Sequence, residues 1–196
     1  MKQRTHSMEE RGEMRTLIYQ KDWSKTTLGP MEAWPSALRV AVDIMLGAGE
    51  AIGIYWGEDL VLLYNDLARE QIGKKHPDAL GRPAQEVFPE AWETLGPIHE
   101  QVMAGDGPVQ LKENYLPLKR DGELEDIWWD SSFNPIPAGD GSVGGVLNIS
   151  FDVTNRMRHI RETTERLAIA LNAANMGTWE WDLEARTVRG DKTMMS

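Results

Sequence analysis

The chain has 196 residues, of which 41% are apolar, enough for one domain with a substantial hydrophobic core and some extensions. Its formal net charge of −10 argues against a nucleic-acid partner, because phosphates require a basic face, and against binding to an anionic membrane surface. The chain contains no cysteine, which excludes disulfides, thiolate metal sites and a cysteine nucleophile.

Residues 1–22 are polar with scattered apolar positions, and we expect them to form a flexible N-terminal tail that is either disordered or a frayed helix. The first part of this segment, residues 1–15, is charged and lacks the apolar core of a signal peptide. No apolar run in the sequence approaches the roughly 18 residues that span a bilayer. These patterns favour a cytoplasmic protein without a membrane partner.

Residues 23–50 are expected to form an N-terminal cap built around one amphipathic helix. Apolar residues recur at helical spacing over residues 35–46, and Pro35 suits the first turn of a helix. Gly47 predicts the end of the helix, because glycine is the residue most common just beyond a helix C-terminus.

Residues 51–154 are expected to form a single domain that contains both helices and strands. Two short apolar runs suggest a hairpin, and Asn65-Asp66 suggests a cap for a short helix that follows. A longer helix and three strands complete the order, with expected ranges of 89–103 for the helix and 109–119, 125–134 and 143–153 for the strands. This order predicts an α+β domain in which a five-stranded antiparallel sheet carries its helices on one face.

The last of these strands alternates between apolar and polar residues. Leu147, Ile149 and Phe151 alternate with Asn148 and Ser150. Such alternation is typical of a sheet with one apolar face, and the face that each row occupies stays open, because a register slip of one residue exchanges the two faces.

Residues 155–175 predict a linker helix that leaves the domain. Apolar and small residues recur along it at the 4-3-4-3-4 spacing of a coiled-coil seam. The predicted seam consists of Val153, Met157, Ile160, Thr164, Leu167 and Leu171. About three heptads are marginal alone, so the N-terminal helix is expected to add to a homodimer interface. The alternative is that this seam packs on its own domain.

Several short motifs follow one another along the chain in a characteristic order. They are Leu28-Gly29-Pro30, Tyr55-Trp56-Gly57, Leu63-Tyr64-Asn65-Asp66, Ala79-Leu80-Gly81-Arg82-Pro83, Phe133-Asn134-Pro135-Ile136 and Asp152-Val153-Thr154. Together with the element order, they resemble a PAS sensor domain of bacterial histidine kinases, including the hybrid kinases. The resemblance covers about residues 22–172 and implies the PAS fold.

The C-terminal motif carries a specific implication. Asp152-Val153-Thr154 resembles the Asp-x-Thr signalling motif that closes PAS cores, so the resemblance assigns signal relay to Asp152 and Thr154. Asn155 stands where many members have glutamate, which weakens the polar contact expected between the domain core and the exit helix. Residues 176–196 resemble the beginning of a second, truncated PAS domain, and the chain resembles the sensory part of a larger protein.

A PAS pocket lies between the sheet and its helices, and the resemblance implies which residues line it here. The candidates are Tyr64, Trp92, Ile98, His99, Val102, Tyr115, Trp129, Ser131 and Leu147. Three states stay open for this pocket, namely a cavity filled by large side chains, a small organic ligand, and haem.

The sequence limits the cofactors that such a pocket could hold. The absence of cysteine excludes a covalent flavin adduct. Haem would need a histidine from the longer helix, where His99 lies at the edge of the apolar face and is more typical of a half-buried surface residue. No spacing of His, Asp or Glu predicts a metal site.

These features predict a non-enzymatic sensory and dimerisation module without catalytic residues. The resemblance implies relay through the exit helix to downstream PAS or kinase domains, in a sensor histidine kinase of a two-component phosphorelay. His159 lacks the acidic neighbour of a phosphoacceptor histidine and is expected to be a solvated helix position. The alternatives are a free-standing ligand-binding or scaffold protein and the input domain of a cyclic-dinucleotide enzyme.

Overall fold

A computed structural model describes residues 12–120, 123–174, 179–182 and 187–190. The α-helices are α1 (Glu13–Gln20), α2 (Ser36–Gly47), α3 (Asp66–Ile72), α4 (Ala84–Val87), α5 (Trp92–Met103) and α6 (Thr154–Ala173). The strands are β1 (Ile52–Trp56), β2 (Val61–Tyr64), β3 (Val109–Tyr115), β4 (Leu118–Arg120), β5 (Glu123–Glu125), β6 (Trp128–Pro137), β7 (Val143–Asp152), β8 (Trp179–Asp182) and β9 (Thr187–Gly190). Short 3-10 helices span Trp23–Lys25, Met31–Ala33 and Gly73–Lys75.

The chain divides into two compact units, with the boundary between Val153 and Thr154. The first unit is built on a five-stranded sheet in the order β2-β1-β7-β6-β3. All of its paired strands are antiparallel. The predicted α+β fold with a five-stranded antiparallel sheet is therefore confirmed.

Helices cover both faces of this sheet near β1. We call the face that carries Tyr55 the inner face and the face that carries Ile54 and Trp56 the outer face. All five residues of β1 are buried, which requires cover on both sides because successive side chains alternate between faces. Helix α2 contacts β1, β2 and β6, and its Leu38 lines a surface depression together with Trp56, so α2 covers the outer face.

The register of β7 shows which of its two rows of side chains belongs to the inner face. Asn148 pairs with Gly53 and Leu147 pairs with Ile54, so Asn148 belongs to the inner face and Leu147 to the outer face. Ser150 is buried, whereas Phe151 is exposed. The polar row of β7 therefore points toward α3 and α5. A one-residue change in register exchanges the two faces of a strand, and hydrophobicity alone did not reveal the correct one.

Asn65 joins three elements at the start of α3, in line with the predicted cap. Its Oδ1 accepts hydrogen bonds from the N–H groups of Ala68 (3.0 Å) and Ile52 (3.1 Å). Its Nδ2 donates to the carbonyl oxygens of Met45 (3.1 Å) and Glu50 (2.7 Å). The side chain therefore caps α3 and also fixes the end of α2 and the start of β1.

The N-terminal segment differs from the predicted flexible tail. Residues 13–20 form α1, in which Met14 and Ile18 are completely buried. Two apolar residues four positions apart lie on one helix face, and here that face packs into the core. The expectation of a flexible tail is wrong for this part, while residues 1–11 lie outside the described residues.

The connection between β3 and β6 contains a small hairpin that the sequence pattern did not predict. Strands β4 and β5 pair antiparallel with each other and lie outside the main sheet. Leu116 and Ile127 flank this hairpin and are joined by a backbone hydrogen bond of 3.0 Å. Both are buried, so the base of the hairpin belongs to the core.

The second unit consists of α6 followed by a hairpin. Helix α6 begins one residue before the predicted linker helix, and β8 pairs antiparallel with β9. The rest of residues 175–196 lies outside the described residues, and the second PAS domain stays a prediction. In the part of the chain that the structure describes, no helix combines the length and apolar character needed to cross a membrane.

Candidate functional site: a cavity between the sheet and its helices

A cavity of about 60 Å³ lies between the inner face of the sheet and the helices. Its walls come from the sheet, from α3 and α5, and from the segments before α5 and around β4. They consist of Gly53, Tyr55, Leu62, Tyr64, Ala68, Gln71, Ile72, Phe88, Leu95, Leu116, Leu118, Trp129, Ser131, Phe133, Asn148 and Ser150. None of these described lining residues carries a charge at neutral pH, so the cavity suits an uncharged occupant.

Polar groups of the cavity lie on the sheet and on α3. Ser150 Oγ donates a hydrogen bond to Oε1 of Gln71 (2.7 Å), and Nε2 of Gln71 donates to the carbonyl oxygen of Ser150 (3.2 Å). Asn148 Nδ2 donates to the carbonyl oxygen of Ser132 (3.3 Å). Gln71 therefore ties the helix that borders the cavity directly to β7.

Tyr64 is completely buried at the end of β2 and lines the cavity. Its hydroxyl lies 2.9 Å from Nδ1 of His76. Burial raises the pKa of Tyr64 well above its usual range, and the negative charges of Glu13 and Asp78 raise it further. Tyr64 therefore keeps its proton at neutral pH and acts as a hydroxyl group.

His99 is completely buried next to the cavity, although it is not part of the wall. Its ring lies among the rings of Tyr55 (4.4 Å between centroids), Phe133 (5.4 Å) and Trp92 (5.8 Å). Nδ1 lies 2.8 Å from the carbonyl oxygen of Leu95 and donates to it, because a carbonyl can only accept. Burial lowers the pKa of His99 and outweighs the opposite effect of this hydrogen bond, so the imidazole is neutral.

The second ring nitrogen of His99, Nε2, is buried and has no hydrogen-bond partner. Among the described residues, no other buried side-chain nitrogen or oxygen lacks a partner. Nε2 is also the atom that would ligate a haem iron. A volume of about 60 Å³ is far below the roughly 300–1,000 Å³ of pockets for drug-sized ligands, and a porphyrin is at least that large. The residues as arranged do not fit haem.

Three of the predicted pocket residues line the cavity together, namely Tyr64, Trp129 and Ser131. Trp129 also donates from Nε1 to the carbonyl oxygen of Leu116 (3.1 Å), another residue of the cavity wall. That these residues bind a ligand stays a prediction.

The predicted residues of α5 lie outside the lining. His99 and Val102 are completely buried, and Trp92 and Ile98 are half-buried. Leu95 is the residue of α5 that reaches the cavity.

Two predicted pocket residues need correction. Leu147 belongs to the outer face of β7 because of the register described above. Tyr115 is 50% exposed, and its hydroxyl donates to Asp126 (2.6 Å) instead of entering the cavity. Strand β3 has an irregular register between Leu111 and Asn114, which changes the side on which the following residues lie.

The sequence interpretation missed Gln71, Asn148 and Ser150, which supply amide and hydroxyl groups to the lining. The alternation along β7 contained the signal for Asn148 and Ser150, because a buried polar row is expected where a sheet face borders a cavity. No sequence signal distinguished Gln71 from an ordinary exposed residue of a short helix.

The predicted relay and seam residues lie at the end of β7 and along α6. Asp152 is the last residue of β7 and Thr154 is the first of α6. The N–H of Val153 donates to the carbonyl oxygen of Trp128 (2.9 Å), which holds the end of β7 against β6. Along α6 the seam residues Ile160 and Leu167 are about half exposed, at 49% and 58%.

Metal-binding side chains are not clustered in the described part of the chain. No group of three His, Asp or Glu residues lies close enough there to hold a metal ion. His76 has Glu13 within 3.3 Å, but its other ring nitrogen faces Tyr64.

Solved structures with similar backbones include sensor domains. The PAS domain of a protein from Colwellia psychrerythraea has 16% identity and a TM-score of 0.46, covering 60% of this chain and 98% of that one. A sensory box sensor histidine kinase from Vibrio cholerae has 16% identity and a TM-score of 0.42, covering 60% and 93%. An RNA-binding light-oxygen-voltage receptor has 19% identity and a TM-score of 0.47, covering 76% of this chain but 42% of that one. No curated protein sequence matches the chain.

A family profile gives the decisive comparison. The profile described as the PAS fold matches residues 50–158, which is more than half of the chain and includes all five strands of the main sheet. The protein therefore belongs to the PAS fold family.

Proposed function

We propose that this chain is a sensory PAS module that detects a small uncharged ligand and relays the signal through α6 to a histidine kinase output. The observation that carries this proposal is the pair of hydrogen bonds between Gln71 and Ser150. Both residues line the cavity, and Ser150 lies two positions before Asp152, the last residue of β7. A change at Gln71 therefore acts on the strand that continues directly into α6.

The cavity restricts the ligand that it can take without a rearrangement. Its volume of about 60 Å³ exceeds several times the roughly 10–15 Å³ that one water molecule needs. The apolar walls and the neutral amide and hydroxyl groups favour a compact, uncharged molecule with a few hydrogen-bonding atoms. A larger ligand requires movement of the walls.

The cavity wall includes a segment that is held by Glu90. Leu116 and Leu118 line the cavity, and the N–H of the next residue, Lys119, donates to Glu90 Oε1 (3.0 Å). Lys75 Nζ lies 2.5 Å from the same oxygen. Desolvation raises the pKa of Glu90, but the hydrogen bonds with Lys75 and the backbone lower it by more. The net pKa lies below its usual value, so Glu90 stays ionised. These contacts hold the segment in place at the cavity wall.

A second copy of the chain is the proposed partner of α6. The exposed apolar positions Ile160 and Leu167 recur at coiled-coil spacing on a helix of 20 residues, while most of its other side chains are charged or polar. A parallel homodimer would bury this seam. Hairpin β8–β9 follows α6 as the first hairpin of a second PAS domain would, and we propose a cytoplasmic sensor kinase as the parent protein.

Native mass spectrometry of protein purified from its own host tests ligand binding. We expect an added mass of a small molecule that disappears on denaturation, together with an absorption spectrum without a Soret band. A spectrum that shows the bare polypeptide mass alone contradicts the ligand proposal. A Soret band contradicts the conclusion that the residues do not fit haem.

A further inference from the structure

A continuous set of hydrogen bonds leads from the cavity wall to the N-terminal helix. Tyr64 lines the cavity, and its hydroxyl lies 2.9 Å from His76 Nδ1. The other ring nitrogen of His76, Nε2, lies 3.3 Å from Oε1 of Glu13, the first residue of α1. The three side chains come from β2, from the loop after α3, and from α1.

The chemistry of these groups gives each hydrogen bond a direction. An ionised carboxylate can only accept hydrogen bonds. Nε2 of His76 therefore carries the hydrogen and donates the hydrogen bond to Glu13. In the neutral imidazole Nδ1 is then an acceptor, and the Tyr64 hydroxyl donates to it. Hydrogen bonds aligned in this way polarise one another, so a change at Tyr64 alters the strength of the contact at Glu13.

Glu13 is placed where it holds the start of α1 in position. Its second carboxylate oxygen forms an ion pair with the guanidinium group of Arg69 on α3. Desolvation raises the pKa of Glu13, but the hydrogen bonds that the carboxylate accepts from His76 and Arg69, together with the charge of Arg69, outweigh it and leave the pKa below its usual value, so the carboxylate is ionised. The next residue, Met14, donates its N–H to Asp66 Oδ1 (2.9 Å).

The rest of α1 packs through few anchors beyond this cluster. Met14 and Ile18 are completely buried, and Trp23 Nε1 donates to the carbonyl oxygen of Ile18 (2.7 Å). A helix of eight residues is unstable in water without such contacts, so its docking depends on them. Because the anchors are few, we expect a weaker contact at Glu13 to favour the undocked state of α1.

We propose that the hydrogen-bonded series Tyr64–His76–Glu13 couples the occupant of the cavity to the docking of α1. The inference rests on the proposed sensory function, because it assigns a second output to the same cavity. A ligand that accepts a hydrogen bond from the Tyr64 hydroxyl takes this hydrogen bond away from His76 Nδ1 and loosens α1. A ligand that donates to the Tyr64 oxygen strengthens the series and holds α1 in place.

The coupling acts in both directions. If ligand binding changes the equilibrium of α1 docking by some factor, then docking of α1 changes ligand affinity by the same factor. The N-terminal helix thereby sets the sensitivity of the cavity, in addition to reporting its state.

The absence of cysteine from the chain makes a clean test possible. Ile18→Cys places a single thiol at a completely buried position of α1, and Gln20→Cys places one at an exposed position of the same helix. The alkylation rate of the thiol at position 18, divided by the rate at position 20, measures how often α1 undocks. The full chain and iodoacetamide are used throughout.

Tyr64→Phe removes only the hydroxyl and serves as the change in the cavity wall. The loss of a single neutral hydrogen bond changes an equilibrium constant, here that of α1 docking, by a factor of about five. We therefore expect alkylation at position 18 to accelerate by about threefold to tenfold. The matched control is Ser131→Ala, which removes a hydroxyl from β6, on the same face of the sheet as Tyr64 but with β1 and β7 between them, and should leave the rate unchanged.

A double-mutant cycle with Glu13→Gln tests the coupling itself. The proposal predicts that Tyr64→Phe has a clearly smaller effect when Glu13 is already replaced, because both changes interrupt one series. Additive effects, an unchanged rate in Tyr64→Phe, or an equal acceleration in Ser131→Ala would each overturn the proposal. These readings concern α1 in the isolated chain, so they do not depend on whether α6 dimerises or signals to a kinase.

Discussion

His99 shows how a single residue can be misjudged when only its sequence neighbours are known. Its position on α5 suggested a half-buried surface residue, yet the side chain is completely buried among three aromatic rings. Removing the polar imidazole from water costs free energy, and hydrogen bonding offsets only part of that cost, because Nδ1 has a partner and Nε2 has none. His99 is therefore a source of pH-dependent instability in the fold.

The pH dependence of stability follows from the lowered pKa of His99. Below about pH 6.5 the unfolded chain binds a proton at this imidazole, whereas the folded protein resists binding it. The unfolded state then holds more protons, so the free energy of unfolding falls as the pH falls. We expect His99→Leu to reduce this loss between pH 7.5 and pH 5.

Urea denaturation of the two proteins at several pH values gives the measurement. As the pH is lowered, the free energy of unfolding should fall less in His99→Leu than in the parent protein. A matched control is His159→Leu, which changes an exposed histidine of α6. The same shift in both variants, or none in His99→Leu, would show that buried His99 is not the source.

At the scale of elements, β7 explains where sequence interpretation succeeded and where it failed. Its position, length and alternation were predictable from residues 143–153, and the structure places the strand at 143–152. The side of the sheet that each row occupies was not predictable, because the pattern assumes that an apolar row always faces the core. In this domain α2 covers part of the outer face, while the inner face borders a cavity that tolerates Asn148 and Ser150.

The proposed dimer seam gives a test at the same scale. Ile160→Glu or Leu167→Glu places an uncompensated charge in the interface, which we expect to weaken dimerisation by about a hundredfold or more. Ile169→Glu is the matched control, because Ile169 is also exposed but lies outside the seam.

Light scattering at micromolar concentration distinguishes the outcomes. The parent chain and Ile169→Glu should have the mass of a dimer, and the two seam variants should have the mass of a monomer. An unchanged mass in both seam variants would show that α6 does not associate through these residues.

At the scale of the whole molecule, the order of elements was more predictable than the cavity. Hairpin β1–β2, helix α5 and the three long strands all followed from turn residues and hydrophobic periodicity. The cavity depends on contacts between distant segments, such as Gln71 with Ser150, which leave no periodic signal in either segment. Helix α1 was missed for the same reason, since Glu13 and Met14 are held by residues more than fifty positions away.

These contacts place the cavity between two hydrogen-bonded connections. One connection leads from Gln71 to Ser150 on β7, and the other leads from Tyr64 through His76 to Glu13 on α1. Because neither connection requires a charged group inside the cavity, we expect an uncharged ligand to affect both. We propose that the first connection transmits the state of the cavity toward α6.

The measurement that tests this claim most directly is the dimer dissociation constant of Gln71→Leu, determined by analytical ultracentrifugation. The substitution removes both hydrogen bonds with Ser150 while keeping a side chain of similar size, and Gln101→Leu on the exposed side of α5 is its matched control. We expect Gln71→Leu to change the dissociation constant by about threefold or more, as typical allosteric coupling does, and Gln101→Leu to leave it unchanged. A dissociation constant in Gln71→Leu equal to that of the parent chain would contradict the proposed relay from the cavity to α6.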